Sequence, residues 1–154
     1  MELAFTEIAA RLGAAALTGA VIGLNRDLEN KPIGTRTLGL VALGAAVVTV
    51  AAVQVPGMAE HPDAMSRVVQ GVLQGVMAGI SFIGAGVILR DAQARTIEGL
   101  TTAATVWVAA ALGIACGLAS WTTVAVGAAL ALFLLAAVGW LERRFGKHRG
   151  PPPP

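Results

Sequence analysis

Between Thr37 and Val55 the chain runs about 19 residues without a charge, and it is one of five apolar runs separated by short polar breaks. A hydrocarbon core about 30 Å thick takes roughly 20 apolar residues to cross as a helix, so this repeat of run and break constrains the fold more than any other feature. The runs read as spans over 8–24, 37–55, 68–89, 99–119 and 122–141. In lipid, each backbone N–H and C=O needs a partner within the segment or within a closed sheet, which leaves helices or barrels. Ala, Gly and Leu dominate the runs and no alternation with period two is visible, which argues against barrel strands. Only 13% of residues are charged, about half the usual soluble share. The expected fold is an all-α, polytopic membrane bundle of about five transmembrane helices. Residues 1–141 form one transmembrane domain, and 142–154 a basic, proline-ending tail expected to be disordered.

The charges test this reading. Five spans alternate sides, so the breaks at 25–36 and 90–98 share a side with the C-terminal tail, and those three segments hold nine of the eleven Lys and Arg. The N-terminus and the breaks at 56–66 and 120–121 hold none; Arg11 and Arg67 lie near the outer ends of their spans. Positive charge stays cytoplasmic, so the N-terminus is expected outside and the C-terminus in the cytoplasm. The opening MELAFTE lacks the basic region of a secretory signal, so Ile8–Leu24 reads as a retained span. The formal net charge of +2 follows from this asymmetry and calls for no nucleic-acid partner. The lone cysteine, Cys116, lies in an apolar run and reads as a small buried hydrophobe.

Glycines pattern the third span. Gly71, Gly75 and Gly79 recur every four residues, and at 100° per residue Gly86 falls within about 20° of Gly75. Such a stripe lets two membrane helices approach closely. On the fourth span Thr101, Thr102, Thr105, Ala109, Gly113 and Cys116 share a face with Glu98, while Leu100, Trp107, Ile114 and Leu118 lie opposite. The two stripes are expected to pack on each other or between two copies of the chain.

Three blocks resemble the MgtC/SapB family. The stretch RLGAAALTGAVIGLNRDLENKPIGTRTLGLVALGAA is similar to the family's opening, with Arg26, Arg36 and Thr37 on its motif positions. GISFIGAGVILR resembles the central glycine signature through Gly79, Phe82, Gly84 and Gly86. GLTTAATVW resembles the following helix through Gly99, Thr101, Thr102 and Trp107. Asn25 stands where the family usually has Glu, Thr35 where it has Leu, and Ser81 where it has Gly. The soluble C-terminal domain of some members has no counterpart in these 154 residues. The resemblance implies a multi-pass protein of the bacterial inner membrane, linked to magnesium homeostasis, growth at low magnesium and virulence. It further implies action on other membrane complexes, the F-type ATP synthase among them, rather than magnesium pumping.

The residues offer little for catalysis. His61 and His148 fall in breaks on opposite sides, no Ser–His–acid set lies at one depth, and no phosphate-cradling motif is present, so neither enzymatic activity nor a cofactor is expected. Arg11, Arg67, Gln70 and Gln74 make a polar strip at the outer end that either bridges helices or lines a path. An interhelical hydrogen bond in a membrane averages only about 0.6 kcal/mol, so neither reading follows from stability alone. At the inner end Asp91 and Glu98 are hard oxygen ligands, with Thr101 and Thr102 beside them and Asp27 and Glu29 able to join. They read either as a weak magnesium site or as a capped helix beside a positive-inside loop. Two functions follow. One is a non-enzymatic regulator working through contacts within the bilayer with itself or a membrane-protein partner; the other is a small transporter or channel subunit acting as an oligomer.

Overall fold

The computed structural model describes residues 3–55, 61–90 and 99–145. They form α1 (Phe5–Leu28), α2 (Thr35–Val53), α3 (Pro62–Arg90), α4 (Leu100–Gly117) and α5 (Trp121–Phe145), with no strand among them. α1, α2, α4 and the stretch Asp63–Ile88 of α3 are long and apolar enough to cross a membrane, and α5 carries a shorter apolar stretch, Trp121–Ala137. The chain is a helical, multi-pass membrane protein.

α4 is the axis. It packs against each of the other four helices, and its core residues Val106, Ala109, Ala110, Leu112, Ile114 and Cys116 are at most 5% exposed. One core cluster joins Ile22 of α1 and Leu38 of α2 to Val106, Ala109 and Leu112; a second joins Ala15, Ala46, Cys116 and Val124. Glycines set how near the helices come. A Cβ placed on Gly113 would lie 2.2 Å from the Ala42 carbonyl oxygen, and one on Gly19 would lie 2.3 Å from that of Leu38. α1 and α4 therefore seat on successive turns of α2, backbone against backbone.

The small face of α4 is thus filled by α1 and α2, not by the glycine stripe of α3. Thr102, Thr105, Ala109, Gly113 and Cys116 are buried as the face requires, whereas Thr101 is exposed. Ile114, expected toward lipid, is buried with Ala45 and Ala110 under Val76, Met77 and Ile80. On α3 only Gly84 approaches a neighbour, with Ala103 at ordinary contact distance; a Cβ on Gly71, Gly75, Gly79 or Gly86 would meet nothing within 4 Å. α3 lies against α4 and α2 through the opposite, branched side, and its glycines other than Gly84 face outward.

Two helix ends carry left-handed residues. α1 does not stop before Asn25 but runs to Leu28, where the amides of Asn30 and Lys31 bond back to the carbonyls of Asp27 and Arg26 with Asn30 at φ 54°. α4 ends alike: the amides of Ala119 and Ser120 return to Cys116 and Ala115 with Ala119 at φ 55°. Both are Schellman closures, with Asn or Ala where glycine is usual. The extra turn of α1 turns Arg26 from a loop residue into a helical, inward-facing one.

Candidate functional site

Arg26 is 3% exposed, the one buried charged side chain among the described residues. It sits in the last turn of α1, where its Nη2 donates to the Thr102 hydroxyl on the first turn of α4 and, at 3.2 Å, to the Pro32 carbonyl. A bare guanidinium at a helix N-terminus is disfavoured by the dipole; here Glu29 supplies opposite charge nearby, beside Gly139 of α5. Around this centre the Arg26 Nε, Asn25 Oδ1 and Thr35 Oγ1 are buried without a partner among the described residues. The break between α1 and α2 closes over it, because the Asp27 carboxylate accepts the Thr35 backbone N–H at 2.9 Å. Gly34 leaves room for that carboxylate, since a Cβ there would overlap it. α2 is thus capped from eight residues upstream. Asp27→Ala should speed hydrogen exchange at the Thr35 amide while Asp27→Asn, which keeps the acceptor, leaves it nearly unchanged; peptide-level exchange over residues 30–38 reads the difference.

The other arginine of α1 mirrors this. Arg11 donates Nη1 to the Gly117 carbonyl at 2.8 Å and pairs through Nη2 with Glu7 at 2.8 Å, a cation at the carbonyl end of α4 where the dipole favours it. Arg11 and Arg26 are 15 residues apart, and so are Thr102 and Gly117, about 22 Å along each helix. The two arginines hold α1 and α4 antiparallel in a single register.

The residues singled out in sequence divide accordingly. Arg26 and Thr102 meet although 76 positions separate them. Gly99 caps α4 at φ 89°, a left-handed conformation that suits glycine. Arg36, Thr37 and Thr101 are exposed around this end. Trp107, half-exposed, lines an open groove of about 350 Å³ between α3 and α4 together with Gly84 and Ser81. Gly79, Gly86 and Phe82 lie on the outward side of α3, as do Arg67, Gln70 and Gln74. Arg11 is engaged with α4 and does not join those three. Asp91 and Glu98 lie outside the described residues; among the described residues no group of three His, Cys, Asp or Glu is placed to hold a metal ion. The Asp27 cap was not signalled in the sequence, because a helix cap normally sits next to its helix.

A family model described as the MgtC family matches residues 12–144. The protein named SrpB of Synechococcus elongatus is 41% identical over 141 residues, covering 86% of this chain and 75% of its own. SapB of Bacillus subtilis is 35% identical over 93% of this chain and 61% of its own. MgtC of Salmonella typhimurium is 41% identical over 68% of this chain and 41% of its own. The chain thus spans three quarters of the first relative and less than two thirds of the other two. No solved structure matches. The matched region takes in Arg26, the Thr102 turn, α2 to α4 whole and most of α1 and α5, and the chain belongs to the MgtC family.

Proposed function

We propose that this chain is a non-enzymatic regulator of the bacterial inner membrane that works by laying α3 against another protein within the bilayer. The observation that carries this reading is the outward face of α3. Lipid-facing helices show large apolar side chains, as α5 does with Val126, Leu130, Phe133 and Leu134, each at least half exposed. α3 exposes Leu73, Phe82 and Ile83, but most of its outward face is Gly71, Gly75, Ala78, Gly79, Ala85 and Gly86. Small residues are what protein-facing membrane helices present.

The charge asymmetry supports a cytoplasmic C-terminus, with the Arg26 end of the bundle inside and the Arg11 end outside. Family membership supports a setting of magnesium homeostasis and low-magnesium or virulence adaptation, with larger membrane complexes such as the F-type ATP synthase as targets. The transporter reading has one feature in its favour, the row Arg67, Gln70 and Gln74. That row lies on the surface of the bundle, so any path along it would have to form between chains.

Flux of magnesium, potassium and protons through the purified chain in liposomes separates the two. No flux above empty vesicles is expected from folded, inserted protein. A flux that Gln70→Leu/Gln74→Leu removes would make the chain a transporter and overturn the regulator reading.

A further inference from the structure

The outward face of α3 carries polar groups as well as glycines. At 100° per residue Asp63, Arg67, Gln70, Gln74 and Ser81 fall within about 60° of one another, and the stripe of Gly71, Gly75, Gly79 and Gly86 begins about 40° beyond Arg67 and ends about 120° from it. Three hydroxyls in the spans are satisfied within their own helix: Thr49 donates to Ala45, Thr105 to Thr101 and Ser81 to Met77, each at 2.7–2.8 Å from a carbonyl oxygen. Gln70 and Gln74 are exposed and make no hydrogen bond among the described residues. α3 has 29 residues, about 43 Å of helix. Centred on a 30 Å hydrocarbon layer, it places Gln74 roughly 11 Å inside and Gln70 roughly 5 Å inside. An amide at that depth needs a partner that lipid does not offer.

Resting on the reading that α3 is the contact surface, we infer that its occupant is a second copy of this chain, related by a two-fold axis along the membrane normal. The face is complementary to itself. A carboxamide both donates and accepts, so Gln70 and Gln74 of one copy can satisfy those of the other at the same depth. Asp63 and Arg67, opposite in charge and one turn apart, make no ion pair among the described residues; across a two-fold axis each lies within one turn, about 6 Å in depth, of its opposite on the other copy. The glycines let the two helices come closer than the 8–10 Å of ordinary pairs. Phe82, 84% exposed, is the most exposed large side chain of α3 among the described residues, and it is flanked by Gly79 and Gly86, which leave it a hole on the other copy. An unrelated partner would have to present amides, both charges and a glycine groove in the same register.

Ala78, exposed between the polar row and the glycines, is the position to probe. The full chain carrying Ala78→Cys, reconstituted in vesicles of phosphatidylethanolamine and phosphatidylglycerol, should form disulfide-linked dimers on copper-phenanthroline oxidation. Val126→Cys on α5 should not, and the unsubstituted chain, whose Cys116 is buried, gives the background. Adding Gly79→Leu should cut the dimer yield about ten-fold with no change in the thermal stability of the protomer, because nothing lies within 4 Å of a Cβ there. In native membranes, the same cysteine bearing a photoreactive maleimide identifies any other occupant. Adducts with a different protein and none with a second copy would overturn the two-fold pairing while leaving α3 as the contact surface. No adduct of either kind would remove both.

Discussion

Gly113→Ala is expected to be among the most destabilising single-methyl changes in this protein. The added carbon would sit 2.2 Å from the Ala42 carbonyl oxygen, 2.8 Å from its carbon and 2.9 Å from its Cα. All three atoms are backbone, so no side chain can swing away; α2 and α4 must part by about 1 Å before the contact is tolerable. Parting them loosens the cluster of Ile22, Leu38, Val106, Ala109 and Leu112 on which α1 also depends. Overpacking a core commonly costs about 1–3 kcal/mol, and a rigid backbone contact on the central helix belongs at about 3 kcal/mol. Gly75→Ala is the matched control: it adds the same carbon into open space and improves helix propensity, so the protomer should be as stable or slightly more so. Thermal unfolding in detergent, followed by circular dichroism, compares the two. Equal midpoints would mean that α2 and α4 are not in backbone contact at Gly113.

The contrast between these glycines also marks how far the sequence could be read. The spans were legible because an uncharged run such as Thr37–Val55 has one fold open to it in lipid. The small face of α4 was legible too, since Thr102, Thr105, Ala109, Gly113 and Cys116 follow the helical period and are buried together. What the period does not carry is the identity of the surface across from it. Gly71–Gly79 on α3 and Gly19–Gly23 on α1 have the same four-residue spacing, yet the first pair of turns faces outward and the second lies against α2. The choice depends on what else each helix offers. α1 brings Arg11 and Arg26, which bond to the two ends of α4, whereas α3 brings branched Val76 and Ile80 on the side away from its glycines. Arg26 itself was misplaced for a local reason. Asn25, Arg26 and Asp27 read as the start of a polar break, but the true stop is the left-handed Asn30, and the one turn between them carries the arginine into the bundle. Its partner Thr102 belongs to a motif the sequence singled out, but nothing in either motif's spacing says that the two touch.

That contact should dominate the energetics of the inner end, and a double-mutant cycle isolates it. Arg26→Met keeps most of the side-chain volume but removes the charge, leaving the Thr102 hydroxyl and the Pro32 carbonyl without their donor and Glu29 without the nearby positive charge. Breaking a buried charged contact from one side costs about 3 kcal/mol or more. Thr102→Val removes the acceptor and leaves a guanidinium that is 3% exposed with one bond fewer, a loss of about 2 kcal/mol for a hydrogen bond to a charged group. Once either partner is gone the second substitution has little left to break, so the double variant should fall short of the sum of the singles by about 1.5–3 kcal/mol. Thr101→Val, next door but exposed, should stay within about 0.5 kcal/mol of the parent. Additivity at Arg26 and Thr102 would show that the two do not hold α1 to α4. The register of the bundle would then rest on Arg11, with its single bond to the Gly117 carbonyl, and on the glycine contacts of α2.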